Sequence, residues 1–135
     1  MSGNTMDLAT AAESAFVMWA VGQGFEVSRP IHHAQGYDFV IRRKEYGYWE
    51  TVQCKAAYNG QTGRRKPCRV VSLRRCNEKG NRPYIEGDFD WLFVWDGMEY
   101  MWFMPWSEVK DIKSNLTISN AEKVNRAKYM VKMRY

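Results

Sequence analysis

Apolar positions along this chain change period several times, and each change marks an element. From Met6 to Val21 the residues Leu8, Ala12, Ala15, Phe16, Trp19 and Ala20 recur every three or four positions, the helical period, until Gly22 and Gly24 stop it. Glu13 falls at the edge of that stripe, able to face either solvent or a cleft. "FEVSRP" then reads as a short strand closed by Pro30, and "IHHAQG" as a loop. "YDFVIRR" and "YWETVQCKAA" are rich in residues that suit a pleated surface, and the turn-like "KEYG" between them predicts an antiparallel pair.

Further along, Asn59-Gly60, Gly63 and Pro67 make "YNGQTGRRKP" a predicted loop with Arg64, Arg65 and Lys66 at its tip. "CRVVSL" reads as a strand and "RRCNEKGNRP" as a second polar loop. "DWLFVWDGMEYMWFM" predicts two strands around Asp96-Gly97, a dipeptide that suits a type I′ turn. Its aromatic run, with Trp91, Phe93, Trp95, Tyr100, Trp102, Phe103 and Trp106, reads as core in preference to a base-stacking platform. After Pro105, "SEVKDIK" predicts a short helix capped by Ser107. "SNAEKVNRAKYMVK" has Ser119 and Glu122 at capping-box spacing ahead of a basic helix running over 119–135. One helix, several strands and C-terminal helices point to an α/β or α+β mixed sheet flanked by helices.

Size bounds that picture, since 135 residues suit one domain over 1–135. No apolar run reaches the roughly 18 residues needed to span a bilayer, and the first residues lack the order of a signal peptide, so an intracellular, cytoplasmic protein without membrane contact is expected. Three cysteines with no CxxC spacing support neither a disulfide framework nor a zinc ribbon.

Charge is uneven along the chain. Residues 1–57 carry five Lys/Arg against six Asp/Glu, 58–82 eight against one, 83–111 one against seven, and 112–135 six against one, giving −1, +7, −6 and +5. Two basic blocks of that strength make a surface that attracts a polyanion such as nucleic acid.

Candidate chemistry comes from the predicted hairpin. A four-residue turn at 44–47 sets 43 opposite 48 and therefore Asp38 opposite Gln53, and Lys55 shares the face of Gln53 because strand side chains alternate. Asp38 can offer a carboxylate, Gln53 an amide oxygen and Cys54 its backbone carbonyl to a hard cation such as Mg²⁺, with Lys55 beside them for attack on phosphorus. By spacing alone the commoner reading is that Asp38 caps a turn while Gln53 and Lys55 decorate a solvated face. His32 and His33 read as surface residues, and Asp88 and Asp90 in "GDFDW" as solvated residues at a strand start.

The order "AAESAF", "YDFVI", "VQCKAA", with "GFEVSRP" before the aspartate strand and "GDFDWLFVW" followed by a hairpin and "MPWSEV", resembles the PD-(D/E)XK nuclease superfamily. The closer likeness is to small intron-encoded (homing) endonucleases with a QxK variant, bacterial or phage-like. The resemblance implies a restriction-endonuclease-like fold, Glu13 and Asp38 as metal-linked acids, Gln53 as a metal ligand or orienting amide, and Lys55 as the catalytic lysine. It further implies Mg²⁺, with Mn²⁺ able to substitute, and double-stranded DNA as substrate. A homodimer or higher homo-oligomer follows, since one such site cuts one strand. Arg64, Arg65, Lys66, Arg74, Arg75, Lys123, Arg126 and Lys128 would grip the DNA backbone. Tyr37 stands where the family has proline, and Gln53 brings no charge. A Holliday-junction resolvase of the same fold and a catalytically inactive DNA-binding module are the alternative functions.

Overall fold

A computed structural model describes residues 5–32, 36–61, 67–77, 80–118 and 125–133. Helix α1 (Thr5–Gly22) forms where the apolar spacing predicts it. Gly24, at φ +86, ends it: the Gly24 N–H donates to the Val21 carbonyl and the Phe25 N–H to that of Ala20, which satisfies carbonyls the helix leaves open. Strands β1 (Glu26–Ser28), β2 (Phe39–Arg42) and β3 (Trp49–Ala56) follow. Next come β4 (Tyr58–Gln61), β5 (Pro67–Ser72), β6 (Arg74–Asn77), β7 (Gly80–Pro83), β8 (Trp91–Trp95) and β9 (Met101–Pro105). The chain continues through α2 (Trp106–Val109), β10 (Asn115–Ile118), a 3-10 helix (Asn125–Tyr129) and β11 (Met130–Val131).

The main sheet has the order β1-β2-β3-β8-β9-β11, antiparallel except where β3 and β8 run parallel at its centre. Each strand alternates its side chains between two hydrophobic layers. Phe39, Ile41, Val52, Cys54, Phe93 and Phe103 pack under α1, whose Phe16 and Trp19 reach into them. On the opposite face Leu92, Val94, Trp102 and Met104 meet Val71 of β5 and Leu73 just after it, Leu116 and Ile118 of β10, and Val109 of α2. The aromatic run is mainly core, as with Trp91 stacked on Phe103 at 4.4 Å. No helix among the described residues is long and apolar enough to cross a membrane.

Several elements depart from the sequence reading. The segment 58–67, predicted as a loop, supplies β4 and the start of β5, paired from Tyr58↔Val70 to Gln61↔Pro67. Asn59, Gly60 and Pro67, expected in the turn, lie in these strands, and 62–66 lie outside the described residues. The polar loop 74–83 is likewise a hairpin, β6 on β7, with Arg75 directly across from Arg82. Cross-strand pairing overrides weak strand propensity in both. The β8–β9 connection is longer than a two-residue type I′ turn, because Trp95 pairs with Met101. Asp96, buried, sets that length: its Oδ1 accepts the N–H groups of Met98 and Tyr100. The short helix begins at Trp106 after Pro105, not with Ser107 as cap, and ends at Val109. β10 was not predicted; Leu116 and Ile118 alternate over only four residues, too few to stand out. The basic helix expected over 119–135 gives way, in its described part, to the 3-10 turn and to β11, because Met130 and Val131 pair with Trp102 and Met101 and extend the sheet. The capping pair Ser119 and Glu122 lies outside the described residues.

Candidate metal and catalytic site

The register of β2 on β3 runs from Arg42↔Trp49 to Phe39↔Val52, the pairing predicted from the "KEYG" turn. One step beyond it Asp38 stands across from Gln53, and the Asp38 N–H donates to the Val52 carbonyl at 2.8 Å. Strand alternation sends Val52 and Cys54 under α1 and turns Gln53 and Lys55 to the other face.

Here a compact polar cluster forms. Gln53 Nε2 donates to Asp38 Oδ2 at 2.8 Å and to the Cys54 carbonyl at 3.1 Å, while the Cys54 N–H donates to the same Asp38 oxygen at 2.9 Å. Gln53 is buried and Asp38 half-buried. Two hard oxygens, one anionic, therefore converge on a point now taken by the amide NH₂ of Gln53. That donor set fits a divalent cation of the Mg²⁺ class, with the Gln53 amide oxygen as a third donor once the amide turns over to present it. Among the described residues no group of three or more His, Cys, Asp or Glu side chains could hold a metal ion. The set found here is of another composition, one carboxylate with an amide and a main-chain carbonyl, so carboxylate counting passes over it.

Lys55 is half-buried, and its Nζ stands 5.3 Å from the centre of the Tyr84 ring. Glu13 belongs to the other side of the sheet, on α1, where its Oε1 lies 3.5 Å from Arg29 Nη2. Arg29 in turn rests 4.7 Å over the ring of Phe39, the neighbour of Asp38. Burial pushes the Cys54 thiol well above its ordinary pKa, the charges of Asp38 and Glu13 add to the rise, and Arg29 opposes it. Both acids thus act on one sulfur at the heart of the sheet. An open groove of about 590 Å³ runs along α1 past Glu13 and Arg29, and Asp38, Gln53 and Lys55 are not among its lining residues.

Other expected site residues have different fates. Arg64, Arg65, Lys66 and Lys123 lie outside the described residues, as does His33. Arg74 is bound within the protein, its Nε donating to Asn81 Oδ1 and its Nη1 to the Lys113 carbonyl. Arg75 donates to Asp88 Oδ1 at 3.1 Å. Arg126 and Lys128 sit on the 3-10 helix, Arg126 half-buried and Lys128 exposed over the Tyr129 ring. Asp88 is not the solvated residue expected: at 8% exposure it also takes two hydrogen bonds from Arg82 and one from the Ile85 N–H. Burial pushes its carboxyl up, but the bonds from Arg82 and Ile85 and the charges of Arg82 and Arg75 outweigh it and hold the pKa low. Sequence reasoning missed Arg29, Tyr84 and Arg82, none of which carries a local signal.

Comparison with known proteins follows the same lines. The model of the PD-(D/E)XK endonuclease family matches residues 3–134. Among solved structures, a bacterial homing endonuclease, I-Ssp6803I, superposes with a TM-score of 0.77 at 23% sequence identity, covering 95% of this chain and 89% of that one. No curated protein matches the sequence. The six-stranded mixed sheet with its flanking helices is the restriction-endonuclease-like α/β fold.

Proposed function

This chain belongs to the PD-(D/E)XK endonuclease family, and from that premise we propose that it is a Mg²⁺-dependent endonuclease of the homing type, cutting double-stranded DNA at specific sites. The observation that carries the reading is the convergence of Asp38 Oδ2 and the Cys54 carbonyl on the Gln53 amide, with Lys55 on the same strand face. Asp38, the Cys54 carbonyl and the amide oxygen of Gln53 would hold the metal, which when bound polarises the phosphodiester and its attacking water. Mn²⁺ would substitute, since the donors are oxygens. The Cys54 N–H keeps the Asp38 carboxylate aimed. Lys55 brings an ammonium to the phosphoryl oxygens, where negative charge grows in the transition state. Glu13, paired with Arg29 on the α1 side of the sheet, is given no part in holding the metal.

One site cuts one strand, so a double-strand break calls for a homodimer or higher symmetric assembly. Arg126 and Lys128, with the basic residues Arg64, Arg65, Lys66 and Lys123, would hold the DNA backbone. Arg74 and Arg75 are given the structural part described above.

Nicking of supercoiled plasmid tests the reading. The wild type is expected to nick with Mg²⁺ or Mn²⁺ and not with EDTA, and Asp38→Asn and Lys55→Ala to fail. A wild type that binds duplex DNA yet nicks nothing with either metal would falsify it in favour of a DNA-binding module. Cleavage of four-way junctions alone would replace homing by junction resolution.

A further inference from the structure

Lys55 owes its surroundings to residues far along the chain. Its ammonium faces the Tyr84 ring at 5.3 Å from the ring centre. That ring follows directly on β7, is 7% exposed, and is braced edge-on by Phe89 at 5.1 Å. Phe89 is braced in turn by Trp106 at 5.2 Å. On either side of Tyr84 the chain is tied: the Arg82 guanidinium and the Ile85 N–H both donate to the carboxylate of Asp88. The ring is therefore fixed at the base of the β6–β7 hairpin. A lysine head on four rotatable carbons has many positions open to it, whereas an aromatic face attracts an ammonium held within about 6 Å.

We infer that Tyr84 is the positioning residue for Lys55, its ring face holding the ammonium on the side of the sheet where Gln53 meets Asp38. The inference rests on the reading of Lys55 as a catalytic group given above. It makes the β6–β7 hairpin, through the residue that follows it, part of what aligns the site.

The test compares nicking kinetics of the wild type, Tyr84→Phe, Tyr84→Met, Lys55→Ala and the Lys55→Ala/Tyr84→Met double variant, each checked for a folded melting transition. Phe keeps the π face and Met fills space without one. Tyr84→Phe is expected within about twofold of the wild type, and Tyr84→Met about tenfold lower in kcat with KM unchanged. The double variant should be no slower than Lys55→Ala alone. Independently of cutting, the Lys55 ε-methylene protons should show an upfield ring-current shift in the wild type and Tyr84→Phe that disappears in Tyr84→Met. Tyr84→Met at full rate beside an inert Lys55→Ala overturns the part given to Tyr84, and so does Tyr84→Phe as slow as Tyr84→Met. A Lys55→Ala protein that cuts at full rate overturns the reading of Lys55 itself.

Discussion

Asp38 and Asp88 each stand just ahead of a strand of the main sheet, and each gathers hydrogen bonds on its carboxylate. Asp88 takes them from Arg75 and Arg82, two guanidiniums set opposite one another on β6 and β7, and from the Ile85 N–H. Asp38 takes them at Oδ2 from a side-chain amide and a main-chain N–H. A guanidinium cancels the charge it holds, whereas neutral donors only aim it. Two like-charged arginines facing each other would drive a hairpin apart, so Asp88 is a fastening. Asp38 has its Oδ2 aimed by neutral donors, the geometry that the proposed metal site would use. The two are also neighbours through the backbone: a Cβ added at Gly36 would come within 2.9 Å of the Asp88 Cβ, two residues before Asp38.

The sharpest way to break this contrast is to remove each carboxylate and read both activity and stability. Asp38→Asn is expected to lower plasmid nicking by about a thousandfold or more, the scale of losing a main electrostatic element, while moving the urea midpoint little. Asp88→Ala should do the reverse in stability, costing about 2–3 kcal/mol by urea unfolding; that is below the figure for a fully buried pair because the Arg82 side chain is 35% exposed. If Asp88→Ala leaves the unfolding midpoint in place, the fastening role is wrong. Gly36→Ala probes the link between the two and is expected to cost about 1–2 kcal/mol, since the new methyl meets the Asp88 side chain and backbone at 2.9–3.1 Å.

Gln53→Glu sharpens the other half of the contrast. A second carboxylate beside Asp38 should destabilise the metal-free protein by about 1 kcal/mol and give a larger Mg²⁺-dependent rise in Tm than the wild type shows. An unchanged response to Mg²⁺ would count against the metal-facing assignment. The smallest effect concerns pH. The Asp88 carboxyl is held below the ordinary aspartate value of about 3.9, so its contribution is in place above that value and is lost as pH falls from there through the lower folded pKa. Asp88→Asn should therefore show a flatter fall in stability over that acid range, measured by urea unfolding at a series of pH values.

What the sequence disclosed follows from range. The pairing of Asp38 with Gln53 was legible because a tight turn fixes register by counting, and Lys55 fell on the right face because strands alternate. Tyr84 was not legible, since its ring reaches Lys55 only after β6 and β7 fold as a hairpin, and that stretch reads as polar loop. Arg74 and Arg75 counted toward a basic surface, yet composition tallies charges without saying which way they point. The described part of the C-terminal segment is a 3-10 turn and a strand in place of the expected α-helix, because a sheet edge was there to pair with Met130 and Val131.

Parallel pairing of β3 with β8 has a consequence for the order in which the site is assembled. The Asp38–Gln53 contact spans 15 residues and can close as a local hairpin, whereas the Thr51–Asp90 bonds beside it span 39. Tyr84 and Asp88 lie within that longer span. A chain emerging from the ribosome thus carries Asp38 and Gln53 well before the ring that meets Lys55, and on the proposed reading of the site cutting competence would wait for the later closure of the sheet.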